Sequence, residues 1–588
     1  MRKSYTFKIG GPAGFGIMTT GAMFSRTATR SGFHIFDYVE YPSLIRGGHN
    51  VMETHFAKEK VFSQERGVDL LIPLNRESAL LHIDEMKDGS AVVYDADQFE
   101  LKPEDFAGKH VLLCPVPFKK ITEELGVLKL MENNVALGAA VGMFGLPKEA
   151  LFSVIEDTFN SKGEKIVNEN KQVAERGYTY VQEKQYKLGT LQDAPLPVSE
   201  SVSKNYAVPS GNEIIGMGAL AAGCQFYTAY PMTPSSSLLH YMASHAKKAG
   251  MVVRHAEDEI GVINEAIGAS FAGVRAMLGT SGGGFALMNE AVSFAGVSET
   301  GLVIYMGQRP GPATGLPTWT EQGDLQFVIH AGHGEFPKIV LAPGDVEEAY
   351  LLTIKAFNLA DMYQTPVIIL SDTYLAESHE SIEVEKLRNI EIKRDRGKIA
   401  PGDEHGEEIK PFQRYEITED GISPRIFPGT KGYYYQANSY EHIPDGHTTE
   451  DAEERIKQVD KRNRKWSTYL ARDFKGPKRY GPEEADVTLV CWGSMKAPAL
   501  DALTYRDFSV EGKSVNVLHF THVWPLDQDK VAEELKKSKR LAIIENNSWS
   551  QFGQLLRQET GIHITERLLK YSGRPIYPEE VTSFIQSL

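Results

Sequence analysis

Three short stretches combine residue types that could hold an anion or move a proton. Tyr230-Pro231-Met232-Thr233-Pro234-Ser235-Ser236-Ser237 closes an apolar strand pattern and opens a helical one. Its prolines stiffen the turn. Thr233 and the serines offer hydroxyls and helix-start N–H groups at a sheet's carboxyl edge, where α/β folds bind ligands. A plain helix N-cap is the simpler alternative. His255-Ala256-Glu257-Asp258-Glu259 sets three carboxylates before a helix rich in Gly and Ala. Acids there commonly do no more than meet the helix dipole. Glu259 runs straight into the small-residue helix, however, and should point inward, where a carboxylate needs a dedicated partner. Gln308-Arg309-Pro310-Gly311-Pro312-Ala313-Thr314-Gly315-Leu316-Pro317-Thr318 follows a strand and carries three prolines. An arginine in so rigid a loop presents a planar fork that matches two carboxylate oxygens, or else caps a turn on the surface.

Two glycine runs are less specific. Thr280-Ser281-Gly282-Gly283-Gly284-Phe285 reads as a strand-to-helix turn. Gly10, Gly11, Gly14 and Gly16 read as another. Such a turn can hold a phosphate on backbone N–H groups, and Asp37 imitates the ribose-binding acid of a dinucleotide fold. The spacing is not G-x-G-x-x-G, which disfavours an NAD-dependent dehydrogenase. Nearby, Glu40 to His49 contains Arg46-Gly47-Gly48, which could meet a phosphate or carboxylate or form a turn at a subunit interface.

The elements that must position these residues are α/β throughout. Residues 1–190 read as one unit, with strands at Tyr5–Ile9, Phe33–Tyr38, Leu70–Pro73, Ala91–Tyr94 and His110–Cys114 and a helix from the glycine turn to about Thr29. Residues 191–210 suit a linker. Residues 211–380 form a second unit, with helices at Gly211–Ala222 and Glu259–Val274 and strands at Gln225–Ala229, Ala276–Gly279, Gly301–Met306, Lys338–Leu341 and Pro366–Leu370. This alternation implies a mostly parallel, doubly wound sheet. Residues 381–484 are polar and irregular and end in a basic helix from Glu450 to Ala471. Residues 485–588 are α/β again, with strands at Val487–Cys491, Ser514–Phe520 and Arg540–Ile544.

Composition bounds the function. The 588 residues carry a net charge of −15. That argues against nucleic acid or an anionic membrane as the main partner, since both call for a basic surface. The longest weakly polar run, Ala136 to Leu146, is short of the roughly 20 residues that span a bilayer. The residues from Met1 to Lys8 lack an apolar segment, so no secretory leader is expected. Cys114, Cys224 and Cys491 are the three cysteines and no Cys-x-x-Cys occurs. A disulfide framework is excluded, as is an iron–sulfur cluster held by this chain alone, which takes about four ligands. The cysteines read as buried small hydrophobes in a reducing cytoplasm.

Together these pieces resemble the α subunit of 2-oxoacid:ferredoxin oxidoreductases in the form with a γ-type domain fused N-terminally. Tyr-Pro-x-Thr-Pro-Ser-Ser at 230–236 is the most specific motif. Gly-Gly-x-x-Gly-x-Gly at 10–16, Tyr41-Pro42-Ser43 with Arg46-Gly47-Gly48, the turn at 280–284 and Gly311 to Thr318 support it. So do Asp420-Gly421, Ser423-Pro424-Arg425, Glu441-His442, Glu545-Asn546-Asn547 and Gly553-Gln554-Leu555. Pro12-Ala13 departs from the Gly-Gln of many relatives. The resemblance implies several doubly wound domains, including a thiamine-diphosphate pyrimidine-binding domain and a transketolase C-terminal-like domain that serves assembly.

The family uses thiamine diphosphate, and a glutamate hydrogen-bonds N1′ of its aminopyrimidine. Glu259 matches that glutamate. By the same resemblance Tyr230 and Pro231 line the pyrimidine pocket, Thr233 and Arg309 contact the substrate with Arg309 on its carboxylate, and Thr318 is a weaker match on the substrate or CoA side. The family holds the diphosphate through Mg²⁺ with a Gly-Asp-Gly stretch, and none occurs here. Mg²⁺ and a [4Fe-4S] cluster are therefore expected on a separate β chain, in an (αβ)2 assembly in the cytoplasm. The implied reaction is CoA-dependent oxidative decarboxylation of a 2-oxoacid with ferredoxin as electron acceptor. The favoured substrate is 2-oxoglutarate, giving succinyl-CoA, and the reverse carboxylation serves a reductive TCA cycle. Pyruvate, indolepyruvate or a broad 2-oxoacid range is the alternative, as is a non-catalytic paralogue. Retention of Glu259, Thr233 and Arg309 argues against the last.

Overall fold

The computed structural model describes residues 4–43, 48–106, 108–191, 202–403 and 408–588. Arg46, Gly47 and half of the expected linker (192–201) lie outside the described residues. The chain forms two compact units. One comprises Met1–Pro209, Ser378–Ile390 and Tyr577–Ser583. The other comprises Ser210–Glu377, Glu391–Ile576 and Phe584–Leu588.

The first unit is built on β1 (Ser4–Pro12), α1 (Ile17–Arg30), β2 (His34–Glu40), β3 (His49–Ala57), β4 (Val68–Pro73), β5 (Met86–Tyr94) and β6 (Leu112–Pro115). Its sheet runs His379–Glu380, β2, β3, β1, β4, β5, β6. β1, β4, β5 and β6 are parallel, whereas β3 is antiparallel to both β1 and β2. The sequence reading has no strand at β3, because Glu53 and His55 break its apolar pattern. Both are buried with partners: Glu53 meets Lys8 at 2.7 Å, and His55 meets Glu65 at 3.0 Å. Gly10 and Gly11 belong to β1, opposite Val51 and Asn50. The glycine turn is therefore confined to Ala13–Gly16, where Gly14 and Gly16 adopt φ of +88° and +75°. Asp37 does not face a ligand. It is fully buried and accepts hydrogen bonds from Ser25 Oγ (3.0 Å) and the His379 backbone N–H (2.9 Å).

The second unit begins with α2 (Gly211–Ala222), β7 (Phe226–Ala229), α3 (Ser236–Ala249), β8 (Val252–His255), α4 (Glu259–Phe271), β9 (Ala276–Ser281), α5 (Gly282–Leu287) and β10 (Leu302–Gln308). β11 (Ile339–Leu341), α6 (Val346–Tyr363) and β12 (Pro366–Asp372) follow. A reciprocal capping box between Ser210 and Glu213 starts α2, satisfying two helix-start donors at once. The sheet order is His522–Trp524, β11, β12, β10, β9, β7, β8. All neighbours are parallel except the antiparallel segment His522–Trp524. The apolar strands β10 and β12 are buried along their whole length, as a sheet covered on both faces requires.

Residues 391–451 contribute little regular structure and lead into α7 (Ala452–Arg472). This basic helix buries three of its cations. Lys461 and Lys465 meet the buried Glu299, and Arg462 forks onto Glu441 at 2.9 and 2.8 Å. Burial pushes the Glu299 carboxyl up, but the two ammonium groups outweigh it and hold it well below the usual carboxylate range. The C-terminal sheet contains β13 (Lys478–Tyr480), β14 (Val487–Trp492), β15 (Lys513–Phe520), β16 (Leu541–Glu545) and β17 (Glu566–Leu569), in the order β13, β15, β14, β16, β17. All three cysteines are buried free thiols, and burial pushes Cys114 and Cys224 up to about 12. Among the described residues no helix is long and apolar enough to cross a membrane.

Candidate active site

The chain leaves β7 toward β8 on one side and returns through α4 to β9 on the other. Such a reversal of strand order opens a crevice at the carboxyl ends of the two central strands, where α/β folds bind ligands. Four segments converge on this end of the sheet: the Tyr230–Ser237 turn after β7, the start of α4, the glycine run after β9, and Arg309 after β10.

Glu259 is the first residue of α4. The three carboxylates before this helix have separate fates. Asp258 is the N-cap, and its Oδ1 accepts the Gly261 N–H at 2.7 Å. Glu257 is exposed. Glu259 is only 4% exposed. Its Oε1 has no hydrogen-bond partner within the protein. A buried carboxylate oxygen left unpaired costs free energy unless a ligand supplies the donor. The glycine run lies against it. A Cβ at Gly284 would sit 2.6 Å from Glu259 Oε1, so any side chain there would displace the carboxylate. The sequence expectation of a glycine turn is refined, since Gly282–Gly284 form the first turn of α5 directly after Ser281. The Ser281 hydroxyl is also buried without a partner.

The Tyr230–Ser237 turn is fixed from α2. Asn212 Nδ2 donates to Pro234 O at 2.7 Å and to Ser237 Oγ at 2.6 Å, and Pro234 packs over Gly307 of β10. Thr233 thereby reaches the next segment: Arg309 donates to its carbonyl oxygen at 2.8 Å. The peptides Thr233–Pro234 and Gly311–Pro312 are cis. Tyr230 and Pro231 are exposed, with the Tyr230 ring 6.0 Å from that of His255, edge to face. Thr318 lies beyond the exposed stretch 311–316. It is buried, and its hydroxyl has no partner.

Two acids near Arg309 escaped the sequence reading. Burial pushes the Asp324 carboxyl up to about 6, against the pull of Arg309. Burial and then Asp324 push Glu321 up to about 7. Neither lies in a recognisable motif; proximity to the rigid Arg309 loop was the available signal. Their segment is held by the C-terminal sheet. Gln322 donates its N–H to Asn546 O at 2.7 Å, Asn547 Nδ2 donates to Gln322 O at 3.2 Å, and the Gln326 N–H donates to Gln551 Oε1 at 2.9 Å. The Thr320 N–H donates to Gly573 O at 3.2 Å, and Arg574 stacks on Trp319 with its guanidinium 3.1 Å from the ring centre.

Apolar side chains stay exposed on the two helices that start at the crevice: Ile260 on α4 and Leu287 on α5, each more than half accessible (52 and 54%). Among the described residues no three His, Cys, Asp or Glu side chains are grouped to hold a metal ion.

Comparison with known proteins agrees with this geometry. Three family models match in order: pyruvate ferredoxin/flavodoxin oxidoreductase over residues 6–180, the thiamine-diphosphate-binding domain of pyruvate flavodoxin/ferredoxin oxidoreductase over 217–461, and the transketolase C-terminal domain over 479–555. The α subunit of a Sulfolobus 2-oxoacid:ferredoxin oxidoreductase is 32% identical over 99% of this chain and 96% of its own length. The 2-oxoglutarate synthase subunit KorA of Methanothermobacter thermautotrophicus is 32% identical over 64% of this chain and 96% of its own. Among solved structures, 2-oxoglutarate:ferredoxin oxidoreductase from Magnetococcus marinus, with 2-oxoglutarate, coenzyme A and succinyl-CoA bound, superposes with a TM-score of 0.90 at 31% identity, covering 100% of both chains.

Proposed function

Since the chain belongs to the 2-oxoacid:ferredoxin oxidoreductase α-subunit family, we propose that it is the pyrimidine-binding half of an enzyme that decarboxylates 2-oxoglutarate to succinyl-CoA and CO2, passing two electrons to ferredoxin. The observation that carries this reading is the unpaired, buried Oε1 of Glu259 at the carboxyl ends of β7 and β9. It is the acceptor or proton holder that an aminopyrimidine nitrogen would complete, so the site fits thiamine diphosphate. When bound, thiamine diphosphate supplies a nucleophilic carbon and an electron sink.

The chain's own residues do the rest. Glu259 would hold a proton at Oε1 for the pyrimidine ring. Tyr230 and Pro231 would line the pocket for that ring. Arg309, held by the Thr233 carbonyl, presents its fork to the substrate's carboxylate, and Thr233 lies alongside. The unpaired hydroxyl of Thr318 is available to substrate or CoA. The exposed Ile260 and Leu287 on the helices that start at the crevice support a second chain closing it. That β chain would carry Mg²⁺, the diphosphate contacts and the [4Fe-4S] cluster, in an (αβ)2 enzyme of the cytoplasm that also runs in the carboxylating direction.

The matched stretches support a γ-type domain at 1–190, a linker at 191–210, the pyrimidine-binding domain at 211–380, a connecting segment at 381–484 and a transketolase-type domain at 485–588. The relatives named for 2-oxoglutarate support that substrate. The test is CoA-dependent reduction of methyl viologen by the anaerobic enzyme co-purified with its β chain. Turnover with 2-oxoglutarate and none with pyruvate is expected. Turnover with pyruvate alone moves the substrate and keeps the chemistry. Glu259→Gln should assemble normally and lose about 10²–10⁴-fold in turnover. Normal turnover by that variant removes Glu259 from the mechanism.

A further inference from the structure

A carboxylate clamp works best when no other anion occupies it, yet an acid stands beside Arg309. Asp324 lies at the start of the short helix Leu325–Ile329, and its backbone N–H donates to Gln308 Oε1 at 3.0 Å, anchoring it to the residue before Arg309. Its carboxylate lies against the first turn of α5, where a Cβ at Gly282 would be 2.7 Å from Oδ2. Asp324 forms no ion pair with Arg309 within 4.0 Å, although each is the other's chief charged neighbour. The charged groups facing it are Arg309, from the end of β10, and Glu321, three residues before it. The neighbouring Gln308 and Gly282 carry no charge.

We propose that Asp324 is the positioning residue of the Arg309 clamp, taking up a proton when a 2-oxoacid carboxylate seats on the guanidinium and releasing it when that carboxylate leaves as CO2. This rests on the assignment of Arg309 to the substrate carboxylate. The step balances as one proton taken from solvent onto an Asp324 oxygen and later returned. The reason is electrostatic. Two anions cannot share one half-buried guanidinium without mutual repulsion, and the repulsion is relieved by protonating the acid with the lesser solvation. The Asp324 carboxyl is already raised by burial to about 6, so the extra proton is accessible near neutral pH. The linkage has a definite sign. Below about pH 6 Asp324 is protonated before substrate arrives, and binding is independent of pH. Above it, binding must bring a proton, and KM rises by up to tenfold per pH unit.

The experiment is the KM of the assembled α–β enzyme for 2-oxoglutarate between pH 5.5 and 8, at saturating CoA, by methyl viologen reduction. The wild-type KM should be flat below about pH 6 and climb above it, while kcat follows a different profile. Asp324→Asn mimics the protonated acid, so its KM should be flat and, at pH 8, lower than that of the wild type. A purely structural role would raise KM at every pH. Glu321→Gln should keep the rise; losing it there would place the proton on Glu321 and overturn the assignment. A flat wild-type profile also overturns it, even if Asp324→Asn fails to assemble. Arg309→Lys separates the two claims. An unchanged KM in that variant refutes the clamp itself, whereas a raised KM together with a persistent rise in Asp324→Asn refutes only the role of Asp324.

Discussion

Gly284→Ala moves Glu259 without altering its carboxylate. A Cβ at 284 would lie 2.3 Å from Thr280 Oγ1, 2.6 Å from Glu259 Oε1 and 2.7 Å from Glu259 Cγ. Ordinary contact begins near 3.4 Å, so the carboxylate must retreat by about 0.8 Å and the threonine must turn. The effects on stability oppose each other. Alanine gains about 1 kcal/mol over glycine inside a helix, and forcing a methyl into filled space costs about 1–3 kcal/mol. The net loss is at most about 2 kcal/mol, within what a folded domain tolerates. Activity is far more sensitive, because a misplacement of about 1 Å costs on the order of 10²-fold in rate. The expected variant melts within about 8 °C of the wild type and binds its β chain. Its kcat falls about 100-fold, and its KM for the 2-oxoacid changes little, since Arg309 is untouched. Viologen reduction and a thermal melt on the same preparation read both. A kcat within about threefold of the wild type would refute the reasoning, for it would mean that catalysis ignores where this carboxylate stands.

Other consequences are simpler to read. Glu299→Gln leaves the buried Lys461 and Lys465 facing no carboxylate, and breaking a buried ion cluster from one side costs about 3–5 kcal/mol; urea unfolding should show that loss, and one below about 1 kcal/mol would mean the lysines are neutral. His522 is buried with its Nδ1 2.6 Å from the Tyr469 hydroxyl, and burial pushes the imidazole down to about 3. Its folded pKa is below the unfolded value, so its contribution is complete above about pH 6.5 and is lost as pH falls toward 3; at pH 5 the loss is about 2 kcal/mol. His522→Asn should flatten that part of the stability–pH curve, and an unchanged slope would refute the assignment.

The strands and helices of the second unit were legible because their signals are local. The apolar runs of β9, β10 and β12 and the small-residue run of α2 stand in the sequence within a residue or two of their structural limits. Glu259 was legible for the same reason, as an acid running into a small-residue helix. Legibility fails where a polar residue is buried against a distant partner. β3 was missed because Glu53 and His55 read as solvent-facing, and their partners Lys8 and Glu65 lie elsewhere in the chain. Asp37 misled in the opposite sense, since its partner His379 lies 342 residues away. Asp324 and Glu321 carry no motif, and only the fold sets them beside Arg309.

The C-terminal sheet bears on the same point. The resemblance implies that it serves assembly, yet a buried carboxylate cluster in it is linked to the segment beside Arg309. The Glu545 carboxylate accepts from Trp492 Nε1 (3.2 Å), Asn547 Nδ2 (2.9 Å), Ser550 Oγ (2.8 Å) and the backbone N–H groups of Phe552 (3.0 Å) and Gly553 (3.1 Å). Five donors around one buried carboxylate fix the loop after β16 far more tightly than chain connectivity would. That loop then holds Gln322 and Gln326 through Asn546, Asn547 and Gln551. Asp324 lies between those two glutamines. The Glu545-Asn546-Asn547 motif thus has a physical reason that neither assembly nor direct catalysis supplies. It immobilises the segment that carries Asp324, so a change deep in the third sheet reaches the surroundings of Arg309 through two hydrogen-bonded layers.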